Sequence, residues 1–98
     1  YTVIAARKGA DPETSYTARL FAKGTAKIAQ KVGEEGVETV IAALAETPEK
    51  VASESADLLY HLTVLWADQG VKPEDVWNIL AERQGISGIA EKASRTDK

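Results

Sequence analysis

The sequence predicts an all-α fold, a helical bundle centred on a long antiparallel helix hairpin and completed by dimerisation. Three observations carry this. No stretch alternates apolar and polar residues for six positions, as a half-buried strand requires. Residues that start and stop helices recur along the chain. One long helix also has apolar residues on two opposite faces, more than a 98-residue chain can cover by itself.

Tyr1 to Lys8 reads as the end of a helix stopped by Gly9, with Asp11-Pro12 as a turn. A short helix follows from about Ser15 to Lys23, with Ser15 or Thr17 as its cap and Gly24 as its stop. The first long helix runs from Thr25, read as the N-cap, to near Glu46. Thr47-Pro48 opens the second, a cap followed by proline at the first helical position, and Gly70 ends it. Two such helices of roughly 20 residues each span about 30 Å. A third begins around Pro73 and ends at Gly85. The tail, residues 86–98, is rich in Gly, Ser and charge and is expected to be partly ordered. With no repeat or linker, residues 1–98 read as a single domain.

Helical spacing sets the apolar faces. On the second long helix Val51, Leu58, Leu62 and Leu65 form a stripe that Leu59 and Trp66 widen. On the first, Ile28 and Val32 face one way and Val37, Val40, Ile41 and Leu44 the other. That helix needs two partners, hence the expected homodimer.

Composition narrows the function. With no cysteine and one histidine, disulfides, thiolate zinc sites, a cysteine nucleophile and multi-histidine metal sites are excluded. Fifteen acids against twelve bases argue against general nucleic-acid binding. No apolar run approaches the ~18 residues of a membrane span, and no signal pattern appears. The chain starts at Tyr1 and has no methionine, so its natural N-terminus is expected to lie upstream.

The acids are clustered. Gly33-Glu34-Glu35-Gly36-Val37-Glu38 lies mid-way along the first long helix, and Glu54-Ser55-Ala56-Asp57 in the first half of the second. Glu35/Glu38 and Glu54/Asp57 are each spaced i,i+3, so each pair shares a face. In an antiparallel hairpin the two pairs lie at similar heights and four carboxylates converge. A Glu-x-x-Glu pair alone is ordinarily a solvated face. Here, however, Lys31 and Lys50 are the only cations in reach, and Glu34 and Glu38 repel at i,i+4. Glu35 also falls within about 20° of Ile28, and Glu54 within about 60° of Val51 and Leu58, so both edge the apolar stripes. Without these five acids the remainder has ten acids against twelve bases, a formal +2. Carboxylates so gathered call for a cation, and hard divalent ions prefer oxygen ligands. Gly33 and Gly36 each cost about 1 kcal/mol of helix propensity, which close packing or room for a ligand would explain.

The pattern Glu-Glu-x-x-Glu followed by Glu-x-x-Asp resembles the metal motif of the MazG-like all-α nucleoside triphosphate pyrophosphohydrolases. Gln30-Lys31-Val32-Gly33-Glu34-Glu35 and Ala56-Asp57-Leu58-Leu59-Tyr60-His61-Leu62 narrow the resemblance, as do Ser15-Tyr16-Thr17, Lys23-Gly24-Thr25 and the tail segment Gly85-Ile86-Ser87-Gly88-Ile89. Together they resemble the phosphoribosyl-ATP pyrophosphohydrolase family of histidine biosynthesis. That resemblance implies a cytoplasmic enzyme that hydrolyses the α–β phosphoanhydride of phosphoribosyl-ATP to phosphoribosyl-AMP and pyrophosphate. By it, Glu35, Glu38, Glu54 and Asp57 hold Mg²⁺, and Glu34 supports them or orients the attacking water. Nothing here resembles the cyclohydrolase to which such domains are sometimes fused.

Lys23, Lys27 and Lys31, with Arg19 a turn earlier, offer a phosphate-binding face, or simply a solvated basic one. His61 is read as a packed, hydrogen-bonded histidine in preference to a ligand, with support of Asp57 as its functional option. Trp66 and Trp77 are read as core or interface residues. Tyr16 is a candidate nucleotide contact or, equally, a structural hydroxyl at a helix start, and Lys92 and Arg95 are read as part of a solvated tail in preference to phosphate contacts. Two rival readings stand beside this one: a MazG-like pyrophosphohydrolase of other nucleoside triphosphates, and a non-enzymatic helical dimerisation module whose acidic face docks a basic partner.

Overall fold

The computed structural model describes residues 1–84 and contains five helices. These are α1 (Thr2–Ala6), α2 (Tyr16–Lys23), α3 (Thr25–Ala45), α4 (Pro48–Gln69) and α5 (Pro73–Gln84). No strand occurs among the described residues. The expectations for residues 86–98, and for Lys92 and Arg95 among them, lie outside the described residues.

The expected punctuation is largely in place. Ser15 caps α2 by accepting the Ala18 N–H at 3.1 Å. Thr47 caps α4 by accepting the Lys50 N–H at 3.2 Å, with Pro48 behind it at the first helical position. Gly70, left-handed at φ 72°, closes α4. There the Val71 N–H donates to the Trp66 carbonyl at 2.8 Å and the Gly70 N–H to that of Ala67 at 3.3 Å, a Schellman closure.

Thr25 departs from its expected role. Gly24, at φ 93°, both ends α2 and precedes α3, so Thr25 is already inside the helix and caps nothing. Its hydroxyl instead donates to Asp68 Oδ2 at 2.6 Å across the hairpin, and Gln69 donates to the same oxygen at 3.0 Å. The Thr25 bond, then that of Gln69 and the charge of Lys8, hold the Asp68 carboxyl below its ordinary range. This clasp fixes α3 against α4 at the end opposite the connecting turn. Thr25→Val is expected to cost about 1 kcal/mol, since the hydrogen bond has a charged acceptor but an exposed setting. Urea unfolding at neutral pH measures it.

α3 and α4 pack along their length as the predicted hairpin, with α1 and α2 laid against its other side. Leu20, Ile28 and Val64 make the buried centre, and Ile4, Phe21, Tyr60 and Leu65 pack round it. The inner line of α3 is Ile28, Glu35 and Ala42, two steps of seven residues. A carboxylate therefore occupies the middle seat of a core stripe.

The α4 stripe is a correction to the sequence reading. Val51, Leu58, Leu62 and Leu65 are only half-buried and Leu59 is exposed, while His61, Val64 and Ala67 are the buried residues. Their face lies more than about 100° round the helix from the leucines. α1 and α2 sit over the β-branched and small side chains of Val64 and Ala67. Of the leucine arc, Leu65 still packs against the buried centre and Leu59 is exposed.

The α3 expectation holds. Val37, Val40, Ile41 and Leu44 are 48–84% exposed, opposite buried Ile28. Of the two explanations for the glycines, close packing within the described residues is not borne out. Among the described residues a Cβ at Gly33 or Gly36 would meet nothing within 4 Å, so no packing between them requires either glycine.

Candidate metal centre and active site

Glu35 and Glu38 reach the site from the middle of α3 and Glu54 from the second turn of α4, at comparable heights above the Glu46-Thr47 turn. One oxygen from each lies within 4.8 Å of the others. Glu35 is buried, Glu54 half-buried and Glu38 exposed, so the trio opens outward through Glu38. Asp57 is exposed and outside the tight group, one turn beyond Glu54, yet its charge is felt by both Glu35 and Glu54.

The electrostatics are those of crowded carboxylates. Desolvation, then the contact and charge of Glu38, raise the Glu35 carboxyl above its ordinary range, with Asp57 adding to this and His61 opposing it. Glu54 is raised by the same first causes, with Lys50 opposing. Glu35 Oε2 and Glu54 Oε2 are buried without a hydrogen-bond donor. Contact with Glu38 cannot satisfy them unless a proton is shared, because an ionised carboxylate only accepts. Buried acceptors normally have partners, so two such oxygens facing a third carboxylate form a group that could hold a cation. Mg²⁺ holds its oxygens at about 2.1 Å, hence up to ~4.2 Å apart, and this trio is within a small side-chain adjustment of that. The donor set fits a hard divalent ion.

Glu34 stands apart. It accepts from Gln30 at 2.7 Å and pairs with Lys31 at 3.3 Å, and these bonds lower its pKa. It shares with Glu38 an open groove also lined by Gln30, Gly33 and Val37.

Residues 1–84 match the family description "Phosphoribosyl-ATP pyrophosphohydrolase". The chain belongs to the phosphoribosyl-ATP pyrophosphohydrolase family. It is 68% identical over 95 residues to the phosphoribosyl-ATP pyrophosphatase of Azospirillum brasilense, covering 97% of this chain and 86% of that protein. Over 98 residues it is 65% identical to the phosphoribosyl-ATP pyrophosphatase of Paramagnetospirillum magneticum, covering 100% and 90%. The Rhodospirillum rubrum protein of the same name is 64% identical over 93 residues, covering 95% and 80%.

In this pyrophosphohydrolase-family chain the lysines lie on two helices. Lys23 is exposed at the end of α2, while Lys27 and Lys31 are half-buried on α3, with Lys31 engaged by Glu34. Gly24 breaks the helix between them. Lys31 lies within electrostatic reach of Glu35 and Tyr16, which puts it beside the carboxylates. His61 is buried and hydrogen-bonded, as expected: its Nδ1 lies 2.8 Å from the Asp57 carbonyl and its Nε2 3.4 Å from the Tyr16 hydroxyl. Thr17 and Tyr60, the residues next to Tyr16 and His61, bond through their hydroxyls. Tyr16, Tyr60 and His61 thus form an aromatic cluster joining α2 to α4. The pairs Tyr16-Thr17 and Tyr60-His61 are visible in the sequence, but no periodicity connects them across some forty residues. Trp66 and Trp77 meet edge to face at 5.9 Å and hold α5 on α4, leaving Trp77 half exposed.

Proposed function

We propose that this chain hydrolyses phosphoribosyl-ATP at the α–β phosphoanhydride, releasing phosphoribosyl-AMP and pyrophosphate in histidine biosynthesis, with Mg²⁺ held by Glu35, Glu38, Glu54 and Asp57. The family match carries the reaction, and the two donor-less buried oxygens beside Glu38 support the metal site. When bound, the ion supplies charge neutralisation for the phosphates and a water of lowered pKa. Glu35 and Glu54 give it a fixed, desolvated seat on two helices already packed together, and Glu38 and Asp57 complete the seat from the solvent side. Glu34, tied by Gln30 and Lys31, orients water in the groove it shares with Glu38. Lys27 and Lys31 border the carboxylates and receive phosphate oxygens; Lys23, further out, meets the substrate's outer phosphate. The helices act as a single catalytic domain, and the enzyme works in the cytoplasm. No helix among the described residues is long and apolar enough to cross a membrane.

Pyrophosphate release from phosphoribosyl-ATP, with Mg²⁺ and with excess EDTA, tests this reading. Metal-dependent release, with no comparable release from ATP, is the expected result. Release from ordinary triphosphates alone would move the chain to the broader MazG-like class of activities.

A homodimer is part of the proposal. Val37, Val40, Ile41, Leu44 and Leu59 are exposed along the hairpin, a surface that a second copy would cover. Val40→Glu places a charge in the middle of that face. It is expected to shift the protein from dimer to monomer in light scattering, with helix content retained at high protein concentration.

A further inference from the structure

The cluster between α2 and α4 has one feature the catalytic reading does not use, a fixed histidine tautomer. His61 Nδ1 is 2.8 Å from the Asp57 carbonyl, which can only accept, so Nδ1 bears the proton and donates. In the neutral ring Nε2 is then an acceptor, and the Tyr16 hydroxyl, 3.4 Å away, is its donor. The ring is buried and is wedged edge to face between Tyr16 at 6.2 Å and Tyr60 at 5.0 Å. Tyr16 itself stacks on Tyr60 with centroids 6.3 Å apart and planes 22° apart, yet remains 48% exposed. Its ring is thus packed against Tyr60 and His61 while much of the residue stays accessible to solvent. That ring lies within electrostatic reach of Lys31, which also senses Glu35.

We propose that Tyr16 is a stacking platform for the base of the nucleotide substrate and that His61 is its positioning residue. Resting on the phosphoribosyl-ATP reading, this adds a base contact to it. In this role His61 acts through its two ring nitrogens: Nδ1 faces the Asp57 carbonyl on the helix that bears Glu54 and Asp57, and Nε2 faces Tyr16. The histidine thereby ties the ring to the carboxylate-bearing helix, so base and phosphates are held on one rigid frame. The Thr17–Tyr60 hydroxyl bond is the second tether. An aromatic ring with two torsions, packed against neighbouring rings and with its hydroxyl held, loses little entropy on stacking.

The chain has one histidine, so its ring nitrogens give a single unambiguous set of ¹⁵N signals. In metal-free, substrate-free protein the Nδ1–H tautomer is expected; the Nε2–H tautomer overturns the lock. Because this is read without substrate, it decides the lock even if phosphoribosyl-ATP proves not to be the substrate. The second arm is kinetic. Tyr16→Ala is expected to raise KM for the triphosphate tenfold or more, by loss of stacking of about this magnitude. Tyr16→Phe and His61→Asn each raise it about fivefold, as loss of one hydrogen bond would. The Phe/Asn double variant raises it no further than the worse single one, and Mn²⁺ affinity stays unchanged in Tyr16→Phe. Multiplying effects in the double variant, weakened Mn²⁺ binding by Tyr16→Phe, or an unchanged KM in Tyr16→Ala overturns the proposal. Tyr16→Phe keeps the ring and the packing, so the test stands even if His61→Asn fails to fold.

Discussion

Glu35→Gln is expected to abolish pyrophosphate release, by about 10³-fold or more, while the helices remain intact. The magnitude follows from weakening a Lewis-acid site worth several kcal/mol at about 1.4 kcal/mol per tenfold. Glutamine preserves the volume at the middle seat of the α3 core line, where Glu35 is only 8% exposed. It removes a charge that burial and Glu38 already disfavour. Metal-free Glu35→Gln is therefore expected to be at least as stable as the parent chain, a signature opposite to that of a structural acid. Asp57→Asn is expected to abolish turnover as well, but to leave stability unchanged because Asp57 is exposed. Circular dichroism and urea unfolding beside the pyrophosphate assay separate the outcomes. If both variants unfold, the acids hold the fold and the catalytic reading fails.

That Glu35 faces inward was legible from helical spacing alone, since seven residues return almost to the Ile28 direction. The caps at Ser15 and Thr47-Pro48 were legible for a similar reason, because each rests on a local side-chain bond that needs no tertiary context. The α4 leucine stripe misled because periodicity reports where apolar side chains lie, not which arc the chain's own helices will cover. α1 and α2 chose the face of Val64 and Ala67, and nothing in α4 itself announces this. Thr25 was misread because the adjacent Gly24, with positive φ, makes the corner and takes over the capping position. Within the candidate site, i,i+3 spacing placed Glu35, Glu38 and Glu54 together but did not separate Asp57 from the tight trio. That difference depends on how far α3 and α4 are rotated about their axes, which only packing fixes.

Protons and metal should compete for the same oxygens, and the two should act on stability with opposite sign. Glu35 and Glu54 titrate above the ordinary 4.5 in the folded chain, raised first by desolvation and then by Glu38. From that ordinary value up to their raised values, the folded state binds more protons than the unfolded one. Stability of the metal-free protein therefore falls as pH rises through this window. Asp68 and Glu34 act the other way, but lower down: their pKa values are depressed, so what they contribute is lost only as pH falls below about 4.5. Mg²⁺ reverses the trend within the upper window, because deprotonated Glu35 and Glu54 are what it binds. At a hundred times its Kd, near neutral pH, it is expected to add about 2.7 kcal/mol. In a domain of this size that is a rise in Tm of roughly 10 °C or more. At pH 5 the rise should shrink as protons reoccupy the pair. Thermal scans across pH 5–8, with and without Mg²⁺, measure both slopes. A Mg²⁺ effect that is constant with pH, or absent from the parent chain and Glu35→Gln alike, would remove the carboxylate pair as the seat of the metal.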